Sequence, residues 1–302
     1  MLVAPLSDRL LSVHGPDARA WLQGFVTHDV LGLEPGGTRY ALILDEKGRV
    51  LADPTLHRPA AKPETIYLLL PADRVEAVRE HLGRRIVTEE VELTVLPYEG
   101  TTLQGASSAS LLGALVCFPH DRTGLGGFDA FDLLGHTPSG RDDSAAIEQA
   151  RIHAGIPRLG VDIEATTLAA EAGLHDALHF GKGCYLGQEV VARLAHRGQT
   201  TRELRRVALT APLPAGEAPI ARGDRLVVQE PDGPREVGTI TSFAAPYGLA
   251  LIRRRWFEPG QQLEVGNSTV TVLPDRVRGH VALAPENDPG FRGNKPHRAL
   301  VS

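Results

Sequence analysis

From Arg202 onward the chain can be read as only one kind of structure. Short, β-branched runs alternate with Pro and Gly: "RRVALTAPLPAGE", "DRLVVQEPDG", "EVGTITSFAAP", "GLALIRR" and "QQLEVGNSTVTVL". Each run is strand-length and bounded by turn residues. Five to seven such strands, with no helix between them, must bury their apolar faces against one another. Residues 201–284 are therefore expected to form a small antiparallel barrel or sandwich. Residues 285–302 are polar and rich in Pro and Gly, the composition of a tail open to disorder.

The first 200 residues follow a different grammar. "LLSVHGPDARAWLQGFVTHDV" reads as strand, turn and helix, with Pro16 near the first helical position. Ala18, Trp21, Leu22 and Phe25 recur there at helical spacing. In "RYALILDEKGRVLADPTLHR" two apolar runs flank Glu46, Lys47 and Gly48, a hairpin pattern. "TIYLLLPADRVEAVREHLGRR" is a strand and then a helix striped by Val75, Val78, Leu82 and Ile86. "VELTVLPYEG" is a further strand, which completes a ββαβ unit of an α+β region. "DDSAAIEQARIHAGI" is a helix ended near Gly155 and Pro157. Residues 100–141 hold short strands of unclear register, and residues 160–178 read as loop and short helix.

Charge and apolar content narrow the partners. The 302 residues are 42% hydrophobic and 23% charged, a soluble, globular profile. A net charge of -5 provides no basic field, so no direct nucleic-acid binding is expected. Arg202, Arg205 and Arg206, and Arg253 to Arg255, read as solvated faces or domain-contact pairs. No apolar stretch approaches the roughly 20 residues that span a bilayer, so no membrane partner is expected. With no export signal and two distant cysteines, the expected compartment is a reducing cytoplasm. The spacing leaves a Cys117–Cys184 bridge open.

One stretch raises a chemical question: "FGKGCYLGQEVVAR", residues 180–193. Gly181 and Gly183 flank Lys182, and Cys184 follows. Val190, Val191 and Leu194 make a helical stripe, so Cys184 is expected at or just before a helix N-terminus. The dipole there and the Lys182 ammonium would favour thiolate, the nucleophilic and metal-binding form. Cys184 and Lys182 are thus the candidate catalytic pair. Tyr185 and Gln188 have hydrogen bonds to offer either to a bound partner or to the loop itself. Glu189 and Arg193 are spaced to brace the helix. The competing reading makes Cys184 a small buried apolar residue and the glycines a plain turn. Cys117, in "ALVCFPH", reads as core. There is no CxxC, HExxH, P-loop or GxGxxG pattern. Two cysteines fall short of the four thiolates of a cluster site, so no metal is expected to be held by this chain alone.

The segment "KGCYLGQE" resembles the K-G-C-Y-x-G-Q-E signature of the YgfZ-type folate-binding proteins. These are relatives of the glycine-cleavage T-protein, an aminomethyltransferase, and are associated with iron–sulfur cluster assembly or repair. "VHGPDARAWLQGFVTHDV", "RIHAGIPRLGVDIEATTLAAEAGL" and "VGTITSFAAPYGLALIRR" extend the resemblance in order over about residues 10 to 275. It implies an α+β, T-protein-like fold of three domains around a central folate pocket. Residues 1–200 would hold two interleaved subdomains, the second at roughly 38–100, and the third domain would be a β-barrel. It implies tetrahydrofolate or another reduced folate as cofactor, and iron–sulfur client or assembly proteins as partners. By the same resemblance Asp53 sits where aminomethyltransferases carry a functional aspartate, and Glu171 at a position suited to contact the pterin. Gln23, Asp29 and Arg151 fall in matching segments and are expected cofactor-binding positions, while Gly183, Tyr185, Gly187, Gln188, Glu189 and Arg193 complete the cysteine motif. The matching segments depart from the pattern at Ala170, at or beside a place where proline is frequent, and at His28, which replaces a common asparagine.

Three functions compete. The first is a folate-dependent accessory factor for iron–sulfur proteins that uses Cys184. The second is a true aminomethyltransferase or related one-carbon transferase, which needs the pocket and an acid but no cysteine. The third is a binding module whose barrel and tail recruit partners. The cysteine motif favours the first.

Overall fold

A computed structural model describes residues 1–105, 114–133, 142–197, 200–213 and 218–279. In chain order the first elements are β1 (Leu2–Leu6), β2 (Arg9–His14), α1 (Ala18–Leu22), β3 (Thr38–Tyr40), β4 (Ile43–Leu44), β5 (Val50–Ala52), β6 (Thr55–His57) and β7 (Thr65–Leu70). There follow α2 (Ala72–Gly83), β8 (Glu92–Val95), β9 (Gly100–Gln104), β10 (Ala114–Pro119) and β11 (Gly127–Leu133). They make a five-stranded sheet, ordered β3-β6-β7-β2-β8, and a four-stranded sheet, β1-β9-β11-β10.

The run "TIYLLL" explains how these layers stack. All six residues of β7 are buried. Alternate side chains leave a strand on opposite faces. Ile66, Leu68 and Leu70 join Leu11, Val13, Trp21, Leu22, Val75, Val78 and Leu82 on the helix-covered face. Tyr67 and Leu69, with Leu10, instead meet Val116, Phe118 and Phe131 of the four-stranded sheet. The five-stranded sheet is therefore apolar on both sides, with helices on one face and the second sheet on the other. The register left unclear over 100–141 is set by this sheet: Val116 opposes Phe131, and Ala130 opposes Thr101. Residues 106–113 and 134–141 lie outside the described residues. α1 is shorter than the apolar stripe predicts. It stops at Leu22, and Gly24 and Phe25 continue in tight turns, with N–H bonds to the carbonyls of Trp21 and Leu22.

The remaining elements are α3 (Ser144–Ala154), α4 (Gln188–Arg197), β12 (Arg202–Leu209), β13 (Arg225–Glu230), β14 (Gly233–Ala244), β15 (Tyr247–Arg253), β16 (Gln262–Val265) and β17 (Ser268–Arg276). α3 ends at Gly155, whose φ of 74° is the left-handed cap expected of glycine. β12 to β17 close into a six-stranded antiparallel barrel, ordered β12-β15-β14-β13-β16-β17. Of barrel and sandwich, the barrel is what forms; closure leaves no open sheet edge. Val207, Leu226, Ile240, Ile252, Leu263 and Val272 fill it. Residues 280–302, which include the predicted tail, lie outside the described residues. A separate apolar cluster joins the parts: Leu42, Leu44, Val50, Ile163, Leu174, Tyr185, Val191, Leu204 and Leu249. No helix among the described residues is long and apolar enough to cross a membrane.

Candidate functional site

The cysteine loop is laid along the turn that follows α1. The N–H of His179 bonds the Thr27 carbonyl at 3.0 Å, and the N–H of Leu186 bonds the Gly24 carbonyl at 3.0 Å. Between them the Lys182 ammonium donates to the carbonyls of Gln23 and Val26, both at 2.6 Å, and of His28 at 3.1 Å. An ammonium has three donors, and all three are used. The same ammonium lies 5.1 Å from the centre of the Tyr185 ring. Behind the loop, Gly187 has φ of 81°, and a Cβ there would come within 2.6 Å of the Asp45 carbonyl oxygen. Only glycine lets the start of α4 press against the β4–β5 hairpin this closely. Gln188 Oε1 accepts the Tyr185 N–H at 3.2 Å, so these two residues bond the loop itself. Tyr185 is buried in the joining cluster, and Glu189 and Arg193 pair on the exposed face of α4.

Cys184 is exposed on this fixed loop, and both cysteines are free thiols. Two elements of the expected activation change. α4 begins at Gln188, four residues after Cys184, and the Lys182 ammonium is spent on backbone carbonyls. Lys182 thus anchors the loop that presents the sulfur. Cys117, on β10, is half-buried, and burial pushes its thiol up to about 11, with Asp129 adding to the effect.

A cleft of about 520 Å³ opens elsewhere, between the two sheets, α3 and the loop after it. Asp8, Asp53, Thr55, His120, Arg122 and Arg151 contribute its polar lining. Asp53 is 7% exposed, and its Oδ2 accepts a hydrogen bond from the Tyr40 hydroxyl at 3.1 Å. Burial raises its carboxyl to about 7; Asp8 adds to this, while the Tyr40 bond and Arg122 oppose it. Asp53 is therefore a buried acid in the cleft wall. Next to it, His120 places Nε2 3.2 Å from the Thr55 hydroxyl and bonds Asp129 through Nδ1. Arg122 joins Asp129, at 2.7 Å, to Asp8. Burial opposes charge on Asp129, but Arg122 and His120 outweigh it and hold that carboxyl well below the usual range.

The predicted site residues divide into three places. Asp53 and Arg151 line the cleft. Gln23 and Asp29 do not; they brace the turn beneath the cysteine loop. There Gln23 Nε2 donates to Asp29 Oδ1 at 2.9 Å, and Gln23 Oε1 accepts the Val30 N–H at 2.7 Å. Glu171 is also outside the lining. It is buried at the barrel junction and meets Arg202 Nε at 3.3 Å and the Thr201 hydroxyl at 3.4 Å. Sequence reasoning missed Tyr40, His120, Arg122 and Asp129. The available signal was "HDRTG", a dense polar run directly after the apolar "ALVCFP".

Residues 9–137 match the GCVT N-terminal domain, and residues 202–278 match the CAF17 C-terminal β-barrel domain. The chain carries a GCVT-like domain and a CAF17-type barrel. It is 28% identical over 301 residues to the mitochondrial iron–sulfur cluster assembly factor IBA57 homologue of Pyricularia oryzae, covering 89% of this chain and 77% of that one. It is 32% identical over 234 residues to the human mitochondrial iron–sulfur cluster assembly factor IBA57, covering 68% and 65%. The glycine cleavage system aminomethyltransferase T from Bartonella henselae superposes with a TM-score of 0.74 at 20% identity, covering 92% of this chain and 87% of that one. The T-protein-like α+β fold with a closed C-terminal barrel, expected from the resemblance, is the fold found.

Proposed function

We propose that this protein is a reduced-folate-binding accessory factor for iron–sulfur cluster assembly or repair, and that Cys184 is its working thiol. The observation that carries the reading is the state of that cysteine. It is a free, exposed sulfur on a loop held by bonds from Lys182, His179 and Leu186. A core cysteine would be buried, and a plain turn would not need a lysine with all three of its donors spent on holding it. The names of the relatives in Pyricularia and human point to the same process. In this reading a cluster is cargo shared with a partner protein.

The cleft suits a folate. Its volume lies within the roughly 300–1,000 Å³ of small-molecule sites. A carboxyl raised to about 7 is ionised in part at neutral pH, and as a carboxylate it accepts from the N–H edge of a pterin. Arg158, half-exposed and also in the lining, pairs with Glu148 at 3.1 Å and would exchange that partner for a carboxylate tail. Tetrahydrofolate titrated into the protein is expected to bind and to raise its melting temperature. A Cys184→Ser allele is expected to lower the activity of cellular iron–sulfur enzymes while leaving that binding intact. Full support of those enzymes by the serine allele would overturn the role given to the thiol.

The buried Asp53 favours a second reading, a one-carbon transferase, because such a reaction needs a positioned acid and no cysteine. Transfer of an aminomethyl group from a lipoylated carrier protein to tetrahydrofolate, lost in Asp53→Asn and kept in Cys184→Ser, would establish it.

A further inference from the structure

The chain leaves the barrel by a route that no sequence pattern announces. After β17, residues 277–279 run back over the α+β region. Val277 is buried in the joining cluster. The Arg278 N–H bonds the Gly155 carbonyl at 3.0 Å, and its Nε bonds the Ala154 carbonyl at 3.2 Å, both at the end of α3. The Gly279 N–H bonds Asp176 Oδ2 at 2.8 Å. Gly279 in this short strap lies directly against Tyr40. A Cβ on Gly279 would stand 2.0 Å from Tyr40 Cδ1 and 2.4 Å from Cε1, distances no real side chain adopts. The Tyr40 ring is 5% exposed and is packed in the joining apolar cluster with Val277. Its hydroxyl is the one that donates to Asp53 in the cleft.

We propose that Gly279 and Tyr40 are positioning residues for the cleft, and that the strap leaving the barrel sets how Asp53 is presented to a bound ligand. The strap backs the ring, the ring holds the hydroxyl, and the hydroxyl fixes one oxygen of Asp53. Several charged groups face this assembly. Asp8 and Arg122 act on Asp53, Asp176 faces Tyr40, and His120 shares the cleft wall through Thr55. Tyr40 is the group among them that bonds the Asp53 carboxylate directly through its side chain. A hydrogen bond to the charged form favours that form, so losing it makes Asp53 hold its proton to higher pH. Because the strap is the direct continuation of β17, a change in the barrel end is felt at Asp53 with no contact between barrel and ligand. That Asp53 faces a folate rests on the proposed function; its positioning does not.

The test reads Asp53 directly, as the carbon-13 carboxyl signal of aspartate-labelled protein titrated without ligand. Tyr40→Phe is expected to raise the Asp53 midpoint by about one pH unit, the tenfold change in proton affinity from losing one bond to a charged group. Gly279→Ala, by displacing the ring, is expected to produce a similar rise, and the double variant no more than Tyr40→Phe alone. Should Gly279→Ala not fold, Arg278→Ala loosens the strap without crowding it and is expected to shift the midpoint in the same direction. An unchanged midpoint in Tyr40→Phe, or in a natively folded strap variant, overturns the proposal, as does full additivity in the double variant. Tetrahydrofolate affinity, measured alongside, is expected to fall about tenfold in Tyr40→Phe. If the midpoints move but the wild-type protein binds no folate, the positioning stands and the folate reading fails.

Discussion

Asp53 and Cys184 give the residue scale its two sharpest tests. The Asp53 carboxyl titrates at about 7 in the folded chain and near 3.8 when unfolded. Between these values the native state keeps a proton that the unfolded state has released, so its contribution to stability falls as pH rises from about 4 to 7. Above pH 7 the full cost applies, with an upper limit of about 4 kcal/mol. Asp53→Asn removes the charge and keeps the shape. It is expected to stabilise the protein at pH 8 by about 1–3 kcal/mol and to do little at pH 4, read by denaturant unfolding. A gain that is the same at both pH values would show that burial of charge is not what Asp53 costs. For the cysteines, iodoacetamide at neutral pH is expected to label Cys184 first. Cys117 should stay unmodified until unfolding, because it is half-buried and about 11 leaves it almost no thiolate. Equal labelling of both in the native protein would contradict this assignment.

At the scale of elements, Lys182 joins two loops that lie far apart in sequence. The sequence showed that a lysine stands two residues before the cysteine; it did not show where the ammonium points. That direction depends on the carbonyls of Gln23, Val26 and His28, which only the folded chain brings near. Lys182→Ala should therefore speed amide exchange in both residues 23–28 and residues 180–187 and cost about 1–3 kcal/mol, as half-buried carbonyls lose a charged donor. It is not expected to slow alkylation of Cys184. A slower reaction would restore the lysine to the role of thiol activator. The elements themselves were easier to read. The α2 stripe as far as Leu82, the turn at Gly48 and the left-handed cap at Gly155 each follow from local pattern and are present, whereas Ile86 lies past the helix end at Gly83. The cleft was legible only at Asp53 and Arg151. His120, Arg122 and Asp129 sit in polar runs that read as loop, and their meaning depends on β10 and β11 being neighbours, with Asp8 arriving from the far end of the chain.

For the molecule as a whole, the question is whether the barrel and the α+β region are one cooperative unit, and Arg151 decides it. Its guanidinium holds Glu148 on its own helix at 2.8 Å, Asp162 in the following loop at 2.9 Å and the Ser242 hydroxyl on β14 at 3.0 Å. The Asp162 side chain has no exposed surface, and it also accepts the Thr241 hydroxyl at 2.6 Å and the Arg158 N–H at 2.9 Å. Barrel, loop and α3 therefore converge on one buried ion pair. Removing one partner of such a pair leaves a buried, uncompensated charge and costs about 3–5 kcal/mol. The two tryptophans report on opposite sides of this joint. Trp21 lies in the core under the five-stranded sheet, and Trp256 lies in the barrel. Single-tryptophan versions, made with Trp256→Phe or Trp21→Phe, are expected to show coincident unfolding in urea. Adding Arg151→Met should lower both midpoints and separate them, while Arg151→Met with Asp162→Leu, which removes both charges, should bring them back together. If the two transitions are already separate with Arg151 in place, the ion pair is a contact between independent units, and neither it nor the joining apolar cluster makes the molecule cooperative.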